Sequence, residues 1–185
     1  MNKQNFLKIW FLLAILTTAI SLLIYTVVQQ DIRQGANDPQ IQMAFDTGSK
    51  LTQGVNISKL VPSEQVSIGS ELSPFIIIYD YNFNPIAGNG IYDHNVARIP
   101  KGVLNYAKEH GEDRVTWQPD KYTRIALVVE KSGDNKSLVA VGRSMREIEV
   151  RENRTFGFVV LAWLMTVIIT LIIALAFDKM KIFNR

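Results

Sequence analysis

The chain has 185 residues (20.9 kDa), no cysteine, a mean hydropathy of +0.09 and 48% hydrophobic residues, which is high for a water-soluble domain. Without cysteine there is no disulfide framework, CxxC redox pair, cysteine zinc site, thiol nucleophile or lipid-bearing cysteine. The net charge of +3 does not mark a nucleic-acid partner: residues 29–155 carry 15 Lys and Arg against 16 Asp and Glu, so the whole surplus lies in the two tails rather than on a folded surface.

Residues 11–28 contain no charged residue, and with Phe6 to Trp10 added they reach the roughly 20 residues that a helix needs to cross a hydrocarbon core. That stretch exceeds the h-region of a signal peptide and no A-x-A site follows it, so an uncleaved anchor is expected over 9–28. Asn37, Asp38 and Pro39 then offer a cap and an N1 proline to an amphipathic helix over 39–53, where Ile41, Ala44, Phe45 and Leu51 recur at helical spacing. Val66 and Ile68 alternate as a short edge strand would. Residues 75–79, FIIIY, give the strongest strand pattern in the chain, closed by Asp80, Asn82, Asn84 and Pro85.

A short strand at 86–87, a turn at Gly88-Asn89-Gly90, a loop over 92–98 and a helix over 101–109 opened by Pro100 are expected next. His110-Gly111 ends that helix. Strands over 114–118, 122–130 and 137–142 follow, joined by turns at Gln118-Pro119-Asp120 and 132–135. From Met145 a charged, helix-favouring segment runs into a second uncharged apolar stretch, 156–177. Ser144 as N-cap and Glu147 three residues on have the spacing of a capping box.

The expected fold class is therefore α+β, an antiparallel sheet of about five strands with flanking helices, held between two transmembrane helices. Lys and Arg in the short tails 1–8 and 178–185 place both termini in the cytoplasm and the domain 29–155 outside. Trp10, Tyr25 and Trp163 read as interfacial anchors. Ala162, Thr166, Thr170 and Ala174 recur every four residues and would let another helix approach closely, with Ala14, Thr17 and Ser21 a shorter version in the first span.

This order resembles the extracytoplasmic PAS-like or Cache-like sensor domains of bacterial two-component sensor histidine kinases. The resemblance is carried by FIIIYDYNFNPIAGNG, KGVLNYAKEHGEDRVTWQP and LVAVGRSMREIEVRE, and covers 37–155. It implies signal transduction by movement of the exit helix. Such kinases continue into a phosphoacceptor helix and a nucleotide-binding domain, whereas this sequence stops eight residues after Phe177, so the expectation is a sensor without an output domain of its own. It would pass its state to a membrane-protein partner, such as a sensor kinase or a complex subunit, and would form a homodimer in the lipid bilayer. The alternative is a non-enzymatic accessory subunit whose outer domain is a docking surface.

No enzymatic activity is expected: GxSxG, HExxH and a phosphate-cradling Gly-rich loop are missing, and the paired carboxylates at Glu112-Asp113 and Glu147-Glu149 read as solvated faces. Neither His94 nor His110 has partners at metal-ligand spacing, so no metal or cofactor is expected. For a small-molecule ligand, alternation along the strands points to Tyr79, Tyr106, Trp117 and Arg124 meeting at one pocket, where an Arg among aromatics would suit a carboxylate. The competing reading places Tyr79 and Trp117 in the core and pairs Arg124 with an acidic neighbour. Arg143, Ser144 and Glu147 sit where sheet movement would become helix movement.

Overall fold

The computed structural model describes the backbone of residues 3–134 and 136–183, and the side chains of 7–134 and 136–176. Asn135 and Arg185, and the side chains of Lys3, Asp178, Lys179 and Lys181, therefore lie outside what is described, and with them most of the tail charges used for orientation. The chain divides into two units, residues 33–149 and the pair of segments 1–32 and 150–185.

The first unit is α+β. It opens with helix α2 (Asp38–Thr52), after the long helix α1 (Lys3–Gly35). Pro39 occupies the first turn as expected, but Asn37 is itself in the helical region and its side chain makes no capping bond. Eight strands follow: β1 (Val66–Ser67), β2 (Phe75–Asp80), β3 (Pro85–Gly88), β4 (Gly90–Tyr92), β5 (Asn95–Val96), then α3 (Lys101–His110), β6 (Glu112–Trp117), β7 (Ile125–Lys131) and β8 (Ser137–Ser144). They form two sheets. The larger is antiparallel throughout, in the order β3-β2-β8-β7-β6, and the smaller runs β1-β4-β5.

Alternation on the central strands sorts the core into two layers. Phe75, Ile77 and Tyr79 of β2, Ile125, Leu127 and Val129 of β7, and Leu138 and Ala140 of β8 face α3 and the small sheet. Ile76, Ile78, Val128, Val139 and Val141 face α2 through Ala44, Ile41 and Leu51. Because both faces are covered, β2 reads as an uninterrupted apolar run rather than an alternating one. Gln40 of α2 is buried, and neither atom of its side-chain amide is hydrogen-bonded among the described residues.

Two segments differ from their expected form. Gly88-Asn89-Gly90 is not a turn: the chain stays extended there and passes from the large sheet to the small one, because Asn89 replaces the missing strand partner with its side chain. Residues 92–98 are not an irregular loop but the hairpin of β4 and β5, closed by Asp93 and His94, both at positive φ (49° and 63°). That two-residue turn ordinarily recruits Asn-Gly, so its sequence signal was absent.

In the second unit, the parts of α1 and of α4 (Arg146–Phe183) that it contains are each long and apolar enough to cross a membrane. Trp163 Nε1 donates to Thr18 Oγ1 at 2.9 Å, and the Tyr25 ring meets Phe156 edge-on at 5.3 Å. These rings contact the neighbouring helix, which their reading as simple interfacial anchors did not include.

Candidate functional site

An open groove of about 570 Å³ lies between the β4–β5 hairpin and the end of β6. Tyr92, Val96 and Arg98 line one wall, and Trp117, Gln118 and Pro119 the other. The two walls come from two different sheets, Tyr92 of β4 and Val96 of the edge strand β5 from the small one and Trp117 of the edge strand β6 from the large one. Trp117 is half-buried, its body packed on the core. Arg98 is exposed and has no ion pair among the described residues.

Asp120 fastens the walls together. Its Oδ2 accepts from the Tyr92 hydroxyl at 2.7 Å, and its Oδ1 accepts from the amides of Tyr122 and Thr123 at 2.6 and 2.9 Å. The Tyr92 hydrogen bond, followed by the Tyr122 amide and the Thr123 hydroxyl, lowers the Asp120 carboxyl from 3.8 to about 2, and the same Tyr92 bond raises the Tyr92 phenol. Because the folded-state value is depressed, the stabilisation is complete above the ordinary value and disappears as pH falls from about 4 through 2. Asp120→Asn should therefore lower the unfolding midpoint at pH 6, with the gap to the parent closing across that acid window. A gap unchanged at pH 2 would show that the carboxylate is not the fastening group.

The structure does not bring Tyr79, Tyr106, Trp117 and Arg124 together. Tyr79 is core: its hydroxyl donates to the Ala97 carbonyl and accepts from the Ile99 amide, both at 3.1 Å, and burial pushes its phenol up. Tyr106 is half exposed on α3, with its ring stacked on His110 at 4.1 Å. Arg124 precedes Ile125, so it belongs to the α2 face with Ala126 and Val128, whereas Trp117 stands opposite Ile125 on the other face. There Arg124 pairs with Glu149 at 3.0 Å. Only Trp117 reaches the groove. No group of three His, Asp or Glu is placed to hold a metal among the described residues.

The joint between β8 and α4 is a second organised region. Arg143 Nε donates to the Leu72 carbonyl at 3.0 Å, Arg146 Nη2 to the Ser70 carbonyl at 3.2 Å, and the Met145 amide to the Arg124 carbonyl at 2.8 Å. The expected capping box is absent. Ser144 is still paired with Ile125 in the sheet, the helix begins one residue later than the spacing implied, and Glu147 makes no hydrogen bond back to Ser144 among the described residues. The Ser144 hydroxyl accepts only a long bond, 3.4 Å, from the Arg146 amide. Arg143 and Arg146 instead hold the joint against the 70–72 loop.

Within α4, the four-residue ridge is also divided. Thr170 and Ala174 are at least partly buried, but Ala162 and Thr166 are exposed, and the hydroxyls of Thr166 and Thr170 turn back to the carbonyls of Ala162 and Thr166 at 2.8 Å. A helix repeats every 3.6 residues rather than four, so a strict four-residue ridge drifts off the contacting side. Val159, Val160 and Trp163 of α4 and Thr18, Ser21, Leu22 and Tyr25 of α1 bound a small apolar cleft of about 230 Å³, and the shorter series Ala14, Thr17 and Ser21 of α1 is half-buried.

Comparison with protein-family models, curated proteins and solved structures gives no match. The functional reading therefore rests on this chain's own geometry. Tyr92, Val96, Arg98 and Gln118 were not singled out from sequence. The detectable signal was Asp93-His94 between alternating residues, a hairpin without its usual turn chemistry.

Proposed function

We propose that this chain is a two-pass membrane protein whose PAS-like outer domain binds a ligand in the groove between Arg98 and Trp117, and passes its state along α4 to a partner in the membrane. Both termini are cytoplasmic in this reading. The observation that carries it is the joint: β8 leads into α4 with one intervening residue, and Arg143 and Arg146 tie that point to the 70–72 loop while Arg124 ties β7 to Glu149 on the helix. A change in strand position at 125 or 144 thus acts directly on the first turn of α4. The five-stranded antiparallel sheet, the helices on both its faces and the two apolar helices that bracket it in sequence support the reading.

The test is thermal unfolding of the full chain in nanodiscs against a panel of small carboxylates, amino acids, sugars, divalent ions and a casein hydrolysate. A ligand at 100 times its Kd stabilises by about 2.7 kcal/mol, enough to raise Tm by roughly 5 to 15 °C in a domain of this size. A selective rise that is lost in both Arg98→Ala and Trp117→Ala is expected. A cooperative transition that no member of the panel moves would discard ligand binding and leave the outer domain as a docking surface.

A further inference from the structure

We infer that the ligand is an extended peptide that adds as a strand to β5, with an acidic side chain on Arg98; this rests on the groove being the ligand site. Along residues 95–99 the backbone groups alternate in direction. The Ala97 amide donates to the Gly90 carbonyl at 2.9 Å, the Ala97 carbonyl accepts from Tyr79, and the Ile99 amide donates to Tyr79, so the odd-numbered positions are committed to the domain. Alternation turns the N–H and C=O of Val96 and Arg98 the other way. No strand pairs with that side of β5 among the described residues, and both residues line the groove.

An open trough bounded by a free strand edge suits a chain better than a compact metabolite, which binds where walls enclose it. Four residues of β-strand span about 13 Å, so residues 95–98 would meet three or four residues of a partner strand. Its alternate side chains would fall on the Trp117 and Pro119 wall. Arg98 supplies the charge: its planar fork fits a carboxylate in two parallel hydrogen bonds, and it has no internal anion among the described residues.

The experiment pans a random seven-residue phage library against the full chain in nanodiscs, with empty nanodiscs subtracted, and then resynthesises the enriched peptides. Enriched sequences should carry an acidic residue. N-methylation should weaken binding at least tenfold at every second peptide position and hardly at the positions between, because only alternate amides pair with the β5 edge. Arg98→Gln should cost a similar factor and reduce the acidic preference. The N-methyl series leaves the protein unaltered, so its outcome does not depend on a variant folding. No enrichment, or binding indifferent to N-methylation, overturns the peptide. If a free carboxylate or amino acid in the preceding panel still stabilises the parent but not Arg98→Ala, ligand binding at the groove stands and only the peptide is discarded. Silence in both experiments discards both.

Discussion

Gly142→Ala should lower the unfolding midpoint of the α+β unit by about 10 °C or more. A β-carbon at 142 would stand 2.3 Å from Cζ and 2.7 Å from Cε1 of Phe75, and 2.9 Å from a methyl of Ile125. Phe75 is directly opposite Gly142 in the β2–β8 register and almost fully buried. The ring has nowhere to retreat, because a β-carbon at Gly90 of β4 would meet it at 2.5 Å. One aromatic ring is thus wedged between a glycine of each sheet. Overpacking of this kind costs about 1–3 kcal/mol, and with both sides closed the upper end is expected. Thermal melts of the parent, Gly142→Ala, Phe75→Leu and the double variant would check it. The double variant should recover part of the loss, since the smaller side chain vacates the contested volume. A Gly142→Ala midpoint within 2 °C of the parent would refute the wedge.

Asn89→Ala should lose about 1–3 kcal/mol, through hydrogen bonding rather than packing. Asn89 is buried, its Oδ1 accepts from the Ile76 amide at 2.8 Å, and its Nδ2 donates to the Glu64 carbonyl at 3.0 Å. Its own amide donates to the Ile76 carbonyl at 3.1 Å, and its carbonyl accepts from the Val66 amide at 2.7 Å. Alanine keeps the last two bonds but leaves the buried Ile76 amide without an acceptor, which costs about 1–3 kcal/mol, whereas Glu64 is exposed and its carbonyl can turn to water. The signature is local as well as global. Amide exchange at Ile76 should accelerate beyond the change at Ile78, whose strand partners are untouched. Equal acceleration at both would mean that the side chain does not serve as the substitute strand.

The elements easiest to foresee were those whose pattern is enforced by burial. β2, β7, β8 and α3 follow apolar runs or helical spacing, and each was expected within a few residues of where it lies. The small sheet was harder. Its edge strand β1 was expected from the alternation of Val66 and Ile68, but β4 and β5 have three and two residues, too few to establish a period, and their positions are set by Asn89 and by contacts across the sequence. The same reason explains the candidate site. Face alternation on β7 already separated Arg124 from the Ile125 side, but only the register of β6 against β7 shows that Trp117 stands opposite Ile125. Arg98 could not be read as a groove residue while its hairpin was read as a loop. At the exit helix, the Ser144 and Glu147 spacing was genuine, yet sheet pairing through Ser144 took precedence over the cap.

The single residue between β8 and α4 also sets a clock. With Ser144 fixed in the sheet and Arg146 already helical, no flexible stretch absorbs a change in chain length. Each residue inserted or removed at Met145 would turn the first turn of α4, up to Glu149, by about 100° and move it about 1.5 Å along the helix axis. The azimuth of the first turn of α4, and with it the reach of Glu149 to Arg124, is therefore dictated by strand register.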